Sequence, residues 1–499
     1  MTTVPGKVTV QKLATGVPGL DTVLGGGLPE YSFNIIGGSP GTGKTTLAHQ
    51  IMFANASPER PALYFTVLGE PALKMLRYQQ QFQFFDPALM AASIRFVNLS
   101  DAVVEGDLAG VLTAIVKEVE ATSPSIVVVD SFRTVLRKVN SQTDTMELQS
   151  FVQRLALCLS GWQATTFLVG EYVEADMRDN PVFTVADGLI WLSQNVERNS
   201  VTRRMQIMKL RGQASVLGLH TFRITDAGLQ VFPRTFGLIG KQLVVPSGRR
   251  LGMGVPELDK MLGGGIPEGD SVLVTGSSGT GKTALAMQFM NEGLRCGEPG
   301  IIAIFEERPQ EYARRAKDFG LDLDTPQGNG KLEVLYLRPL DLSVDETLHE
   351  ILDGVNRIGA KRVVIDSLAG FEMALAPTFR EDFRESLYRM IGALTGIGVT
   401  VFSTAELPES FTDLPFSPHA ISFLTDDLIR LRFVEIDSQL RKVMTIVKMR
   451  GGDHSKDVRE YTITGSGMVI GSTLPQYRGL LTGVPVPSGS ASTSEEENK

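Results

Sequence analysis

Two stretches of the chain could handle phosphate: Gly38-Ser39-Pro40-Gly41-Thr42-Gly43-Lys44-Thr45 and Gly276-Ser277-Ser278-Gly279-Thr280-Gly281-Lys282-Thr283. Both fit the loop pattern G-x-x-x-x-G-K-[ST]. Glycines let the backbone fold into a nest of N–H groups around phosphate oxygens. A helix starts there, so its free N–H groups and the positive end of its dipole face the anion. Lys44 and Lys282 could reach the β- and γ-phosphates, and the Thr45 and Thr283 hydroxyls could hold Mg²⁺. Gly41, Thr42, Gly43 and Thr46 in the first loop, and Gly279, Thr280, Gly281 and Ala284 in the second, complete two candidate nucleotide cradles.

Further chemistry-bearing residues recur at matched places. Ile126-Val127-Val128-Val129-Asp130 and Val363-Val364-Ile365-Asp366 are apolar strands ending in a carboxylate. That is the Walker B arrangement, which puts Asp130 and Asp366 near the metal and its waters; a strand followed by an Asp helix cap is the ordinary alternative. Phe305-Glu306-Glu307-Arg308-Pro309 follows a strand in the second copy. Glu306 or Glu307 there could orient and deprotonate an attacking water or hydroxyl. The first copy reads Val67-Leu68-Gly69-Glu70-Pro71, with Glu70 shifted by one position, so slower hydrolysis is expected from it. Lys209-Leu210-Arg211 and Lys448-Met449-Arg450 place two cations at i and i+2, on one face of a strand. Such a fork could grip the γ-phosphate of a neighbouring subunit, although basic pairs on strands are often simply solvated.

The elements that must position these residues are written twice. Gly16-Val17-Pro18-Gly19-Leu20-Asp21 and Leu24-Gly25-Gly26-Gly27-Leu28-Pro29-Glu30 return as Gly254 to Asp259 and Leu262 to Glu268; Gly16 to Gly254 and Gly38 to Gly276 are both 238 residues apart. A shared spacing of that length means a duplicated domain. In each copy, helical patterns alternate with short β-branched runs: Ala62–Val67, Ile94–Asn98, Ile126–Asp130, Thr165–Gly170 and Gly188–Leu192 in the first, and Gly300–Phe305, Leu332–Leu337, Arg362–Asp366, Thr400–Ala405 and Asp427–Leu431 in the second. This predicts an α/β fold, two tandem mainly parallel sheets flanked by helices, with ligand at the carboxyl ends of the strands. Arg204–Lys209 and Arg223–Phe232, matched by Lys442–Lys448 and Glu460–Ile470, predict antiparallel strands at one edge. The expected domains are 1–240 and 241–480, joined near Pro233 to Gly248, with a disordered acidic tail over 481–499.

Composition narrows the function classes. The chain has 499 residues, 42% hydrophobic and 21% charged, which suits two or three soluble globular domains. A net charge of -8 and a pI near 5.4 argue against broad nucleic-acid or anionic-membrane binding. Cys158 and Cys296 read as reduced packing thiols in helices, and neither a secretory leader nor a membrane-length apolar run is seen, so a cytoplasmic protein is expected.

With these motifs assembled, the chain resembles the KaiC family, the double-domain RecA-like ATPases of the bacterial circadian clock and their relatives. The resemblance covers about residues 8–472 and rests on the G-V-P-x-L-D and G-G-G-x-P-E entry, the P-loops, the Glu pair and the K-L-R-G and K-M-R-G segments. It implies a homohexamer of two stacked rings with ATP and Mg²⁺ at subunit interfaces, ATPase activity in the first ring, and autokinase and autophosphatase activity in the second. By matched position it assigns cross-subunit nucleotide contacts to Arg203, Lys209, Leu210, Arg211, Thr225 and Asp226, and to Lys442, Lys448, Met449, Arg450, His454 and Lys456. Magnesium is expected on Thr45 and Asp130, and on Thr283, Glu306 and Asp366. In Ala420-Ile421-Ser422-Phe423-Leu424-Thr425-Asp426, Ser422 keeps a phosphorylation position while Phe423 replaces the adjacent Thr; Ser417 and Thr425 are lesser candidates. That departure, and a tail without an evident activator-binding match, point to a signalling or stress relative with a KaiB-like or signalling partner rather than a self-sustained oscillator. Two other readings stand beside the enzyme: a nucleotide-dependent scaffold for a regulatory partner, and a RecA-like nucleic-acid motor, which the acidic balance disfavours.

Overall fold

The apolar runs that precede the two P-loops become interior strands of two separate nine-stranded sheets. The computed structural model describes residues 10–67, 72–105, 108–139, 145–173, 175–176, 180–197, 200–234, 248–337, 342–380, 383–407, 424–481 and 485–488. The chain divides into two units between Arg234 and Thr235.

In the first unit the sheet runs from the edge strand Gly228–Phe232 through His220–Thr225, Ser200–Leu210, Gly188–Glu197, Phe33–Gly38, Thr165–Glu171, Ile126–Asp130 and Ala62–Thr66 to Ile94–Asn98. From Gly188–Glu197 onward the pairings are parallel, and the first three strands are antiparallel. The second unit has the same topology, here from the opposite, parallel edge: Leu332–Tyr336, Gly300–Ile304, Arg362–Asp366, Thr400–Glu406, Ser271–Gly276, Asp427–Ile436, Gln439–Lys448, Arg459–Thr464 and Gly467–Thr473.

Side chains alternate across each sheet, so each parallel strand feeds two cores. Leu63, Phe65, Val127 and Val129 pack on one face of the first sheet, while Ala62, Tyr64, Ile126 and Val128 pack on the other. In the second sheet Ile301, Ala303, Val363 and Ile365 oppose Ile302, Ile304 and Val364. Helices cover both faces, which is why these strands read as continuous apolar runs rather than alternating ones.

Several details depart from the sequence reading. Arg223–Phe232 is not one strand: it folds as a hairpin, with Thr225 opposite Gly228. Glu460–Ile470 splits in the same way around Gly467. A positive φ at Gly228 (106°) and Gly467 (100°) makes each reversal, a signal hidden inside the β-rich composition. The thiols are not buried: Cys158 is half-buried and Cys296 is exposed, just past the helix Lys282–Arg295. Part of the region expected to be disordered is ordered, since Val486–Pro487 pairs antiparallel with Tyr477–Arg478. Most of the expected linker, 235–247, lies outside the described residues, as do 489–499. Among the described residues, no helix is long and apolar enough to cross a membrane.

Candidate functional site

Each P-loop leaves its central strand and turns directly into a helix, Lys44–Asn55 or Lys282–Arg295. The residue before each helix is a left-handed glycine, Gly43 at φ 95° and Gly281 at φ 98°. A side chain is excluded there on two grounds. The conformation disfavours it, and a Cβ would sit 2.5 Å from Ile224 Cδ1 or 2.3 Å from Ile463 Cδ1. Within the loops, Thr42 Oγ1 donates to Ser39 O at 2.9 Å and Thr280 Oγ1 to Ser277 O at 2.8 Å, closing the same turn in both copies.

The two lysines are held alike. Lys44 Nζ donates to Ser39 O (2.7 Å), and Lys282 Nζ donates to Gly276 O and Ser277 O (both 2.8 Å). Burial pulls both ammonium groups below the usual lysine range, against the opposing pull of Glu171 and Asp130 on Lys44 and of Glu406, Asp366 and Glu306 on Lys282. A desolvated cation facing a cavity is a site prepared for an anion, whose charge would repay the lost hydration.

The metal-side residues also converge. Thr45 Oγ1 and Tyr64 Oη both donate to Asp130 Oδ2 at 2.7 Å. In the second copy Thr404 Oγ1 donates to Asp366 Oδ1 at 2.5 Å, and Thr283 bonds the same carboxylate. Asp130 and Asp366 each keep a face on their cavity, while protein crowds the other sides and pushes both carboxyls above their usual range. The peptide bond after each aspartate is cis. Among the described residues no group of three or more His, Cys, Asp and Glu could hold a metal unaided. A Thr hydroxyl and one carboxylate fit instead an Mg²⁺ whose remaining ligands are phosphate oxygens and water.

These residues line one cavity per unit. The first, about 410 Å³, is bounded by Gly41, Gly43, Lys44, Thr45, Asp130 and Glu171 among others. The second, about 520 Å³, is bounded by Gly279, Lys282, Thr283, Glu306, Glu307 and Asp366, and also by Arg315, Glu406 and Lys442. In the Glu pair, Glu306 accepts from Ser367 Oγ at 2.6 Å, whereas Glu307 is ion-paired with Arg315 at 2.5 Å. The corresponding first-copy residues Leu68, Gly69 and Glu70 lie outside the described residues.

The basic forks stand apart from the P-loop cavities of their own units. Lys209 Nζ donates to Phe183 O (3.2 Å) and Thr184 O (2.9 Å), and Arg211 pairs with Asp187 at 3.0 Å on the wall of a separate cleft. Lys448 Nζ donates to Thr425 O at 2.5 Å, and Arg450 pairs with Asp426 at 3.3 Å. Leu210 and Met449 lie between the two cations of their forks, and Arg203 sits partly buried on the strand Ser200–Leu210. His454 Nδ1 lies 2.9 Å from Ser455 O, and Lys456 pairs with Asp453. Thr225 and Asp226 occupy the turn of the edge hairpin. Lys442, matched in the sequence to a cross-subunit contact, lines the cavity of its own P-loop, because the antiparallel strand Gln439–Lys448 carries it there. Ser422 and Ser417 lie outside the described residues.

Sequence reasoning missed Glu171 and Glu406, which end the strands Thr165–Glu171 and Thr400–Glu406 beside each P-loop. Their signal was available as an apolar strand closing on Glu in both copies. Tyr64 had no such repeat to mark it, since Ile302 stands at the matching place, and Arg315 recurs as Arg77 but within a helix of many charges that gave no sign of the cavity.

The family model described as "ATPase: KaiC" matches residues 13–235 and again 251–474. The chain is 28% identical over 487 residues to the circadian clock oscillator protein KaiC of Picosynechococcus sp., covering 95% of this chain and 92% of that protein. It is 27% identical to the protein of that name from Rippkaea orientalis over the same length and coverage. It is also 27% identical over 490 residues to the circadian clock protein KaiC3 of Synechocystis sp., covering 96% and 95%. With both halves matched by the family and the phosphate loops, Walker B carboxylates and basic forks in place twice, the chain belongs to the KaiC ATPase family.

Proposed function

We propose that the protein is a homohexameric ATPase that binds Mg·ATP between protomers, hydrolyses it, and transfers phosphate to its own Ser422 in the second domain. It would act as a cytoplasmic signalling or stress component of the circadian type, through a KaiB-like or signalling partner. The observation that carries this reading is the separation of the basic forks from the cavities. Lys209 with Arg211, and Lys448 with Arg450, do not line the P-loop cavity of their own unit, which supports a role on a triphosphate held by an adjoining protomer. Two cations arriving on the γ-phosphoryl would neutralise charge developing in the transition state. In the second site, Glu306 is the better base, since Glu307 is committed to Arg315. Removing it should slow site-two turnover by roughly 10²–10⁴-fold.

Molecular mass in solution with and without Mg·ATP, followed by phosphosite mapping of the same sample, tests the reading. A sixfold mass with ATP and phosphate on Ser422 support it. A chain that remains single at saturating Mg·ATP removes the interface, and a clean Ser422 removes the kinase. A scaffold role for the first domain is a second reading, favoured by Leu68 and Gly69 where the second copy has its Glu pair. In that case the first site binds ATP and hydrolyses it slowly, and its nucleotide state governs capture of the partner.

A further inference from the structure

Arg315 is an unassigned cation in the second phosphate cavity. It stands in the last turn of the helix Pro309–Asp318 and lines the cavity together with Lys282, Thr283 and Asp366. The helix is oriented by Tyr312 and Ala316, 1% and 0% exposed, which bury its inner stripe. Arg315 lies between those two positions in the helical turn, so its side chain flanks the buried stripe and reaches the cavity wall. There one guanidinium nitrogen, Nη2, is tied to Glu307 Oε2 at 2.5 Å. A guanidinium has five N–H donors in a rigid fork, so one carboxylate contact leaves others for a second oxyanion such as a phosphoryl group.

The first unit provides a contrast. Its counterpart, 238 residues earlier, is Arg77. Arg77 is exposed and does not line the first cavity, where Met75 stands instead. At the position matching Glu307 the first copy has Gly69, which could not tether a guanidinium. The carboxylate anchor and the cavity-lining arginine therefore occur together in the second unit, whereas the first keeps the arginine without the anchor and leaves it off the cavity wall.

We propose that Arg315 is a catalytic residue of the second site, a cation supplied by the same protomer that contacts the terminal phosphoryl group of ATP, with Glu307 as the residue that positions it. This rests on the reading of the second cavity as an ATP site. The role differs from that of the Lys448–Arg450 fork, which would come from a neighbour. It also gives the two acidic residues different tasks: Glu306 addresses the nucleophile, and Glu307 holds the arginine.

The test uses the full chain with the first site silenced by Lys44→Ala, and compares Arg315→Ala, Arg315→Lys, Glu307→Gln and the Arg315→Ala/Glu307→Gln pair. Two readouts are taken: steady-state turnover, and affinity for a non-hydrolysable ATP analogue relative to ADP. Arg315→Ala should lower kcat by about 10²-fold, the cost of one transition-state donor, with KM changed far less. Its preference for the triphosphate analogue over ADP should fall about 10-fold, and Arg315→Lys should restore part of both losses. The double variant should be no worse than Arg315→Ala, because Glu307 acts through the arginine. Unchanged analogue preference in a folded Arg315→Ala protein, or additive losses in the double variant, would overturn the proposal. If the Lys44→Ala parent shows no turnover, the hydrolysis reading fails on its own, and the analogue-to-ADP ratio still decides whether Arg315 touches the terminal phosphate.

Discussion

Asp130 shows how one side chain can be prepared for a metal by its neighbours. Two hydroxyls, from Thr45 and Tyr64, donate to the same oxygen of a carboxylate that lines the cavity. Tyr64 is itself fully buried and stacked on His49 at a centroid distance of 4.6 Å. Burial holds His49 neutral, its pKa pulled down to about 3, so the stack adds no charge behind the site. Tyr64→Phe keeps the stack and removes one donor. Mg²⁺ affinity of the nucleotide-bound first site should then weaken by roughly 10-fold, in the range found for lost outer-sphere partners. A magnesium titration of fluorescent-nucleotide binding measures this, and no change would mean that Tyr64 only packs. Asp366 offers a test through pH. Its carboxyl is raised by burial, so the folded state disfavours its ionised form. The resulting destabilisation is absent below the unfolded value and fully present above the folded one. Asp366→Asn should therefore raise the melting temperature of the nucleotide-free protein near neutral pH, by roughly 2–4 °C per kcal/mol relieved, with little gain near about pH 4. The same variant should lose Mg²⁺-dependent nucleotide binding. Melting curves at both pH values check the first part, and a gain independent of pH would contradict it.

At the scale of elements, the sites depend on how a loop hands over to a helix. Gly281 joins them in a left-handed conformation and lies under Ile463 from the edge hairpin. Gly281→Ala should cost of order 1–3 kcal/mol in backbone strain alone, with further loss from the contact to Ile463. Adding Ile463→Ala should recover the contact part but not the strain. Denaturant unfolding of the single and double variants separates the two, and full recovery in the double variant would refute the conformational argument. The same hairpins explain the position of Lys442. An antiparallel strand that returns alongside Asp427–Ile436 brings its early residues, including Lys442, back to the cavity, while its last residue, Lys448, ends beside Thr425. One strand thus serves two places.

For the whole molecule, an interface site makes its parts exchangeable between chains. Lys282→Ala should abolish the second site within its own protomer, and Arg450→Ala should disable the site of the neighbour that it serves. In mixed assemblies some sites would then combine an intact Lys282 with an intact Arg450. Mixing the two inactive proteins should restore a measurable fraction of site-two turnover, as expected when charge stabilisation comes from a second subunit. Assays of each variant alone and of the mixture check this. No recovery, despite proven subunit mixing, would mean that the fork does not act across the interface.

Much of this was legible in the residues themselves. The P-loops, the Asp-terminated strands and the constant 238-residue offset are local patterns, because phosphate binding needs glycine, lysine and hydroxyl at short fixed spacing. The parallel strands were legible for a similar reason, since burial on both faces demands an unbroken apolar run. Tertiary structure alone decided which distant side chains share a cavity. Glu307 meets Arg315, Tyr64 meets Asp130 and Lys442 meets its own P-loop because sheet order and helix rotation bring them together, and no periodicity in the chain encodes those distances. It also separated the basic forks from the P-loops of their own units: spacing on a strand tells which way two cations point, but only the folded sheet tells what they point at.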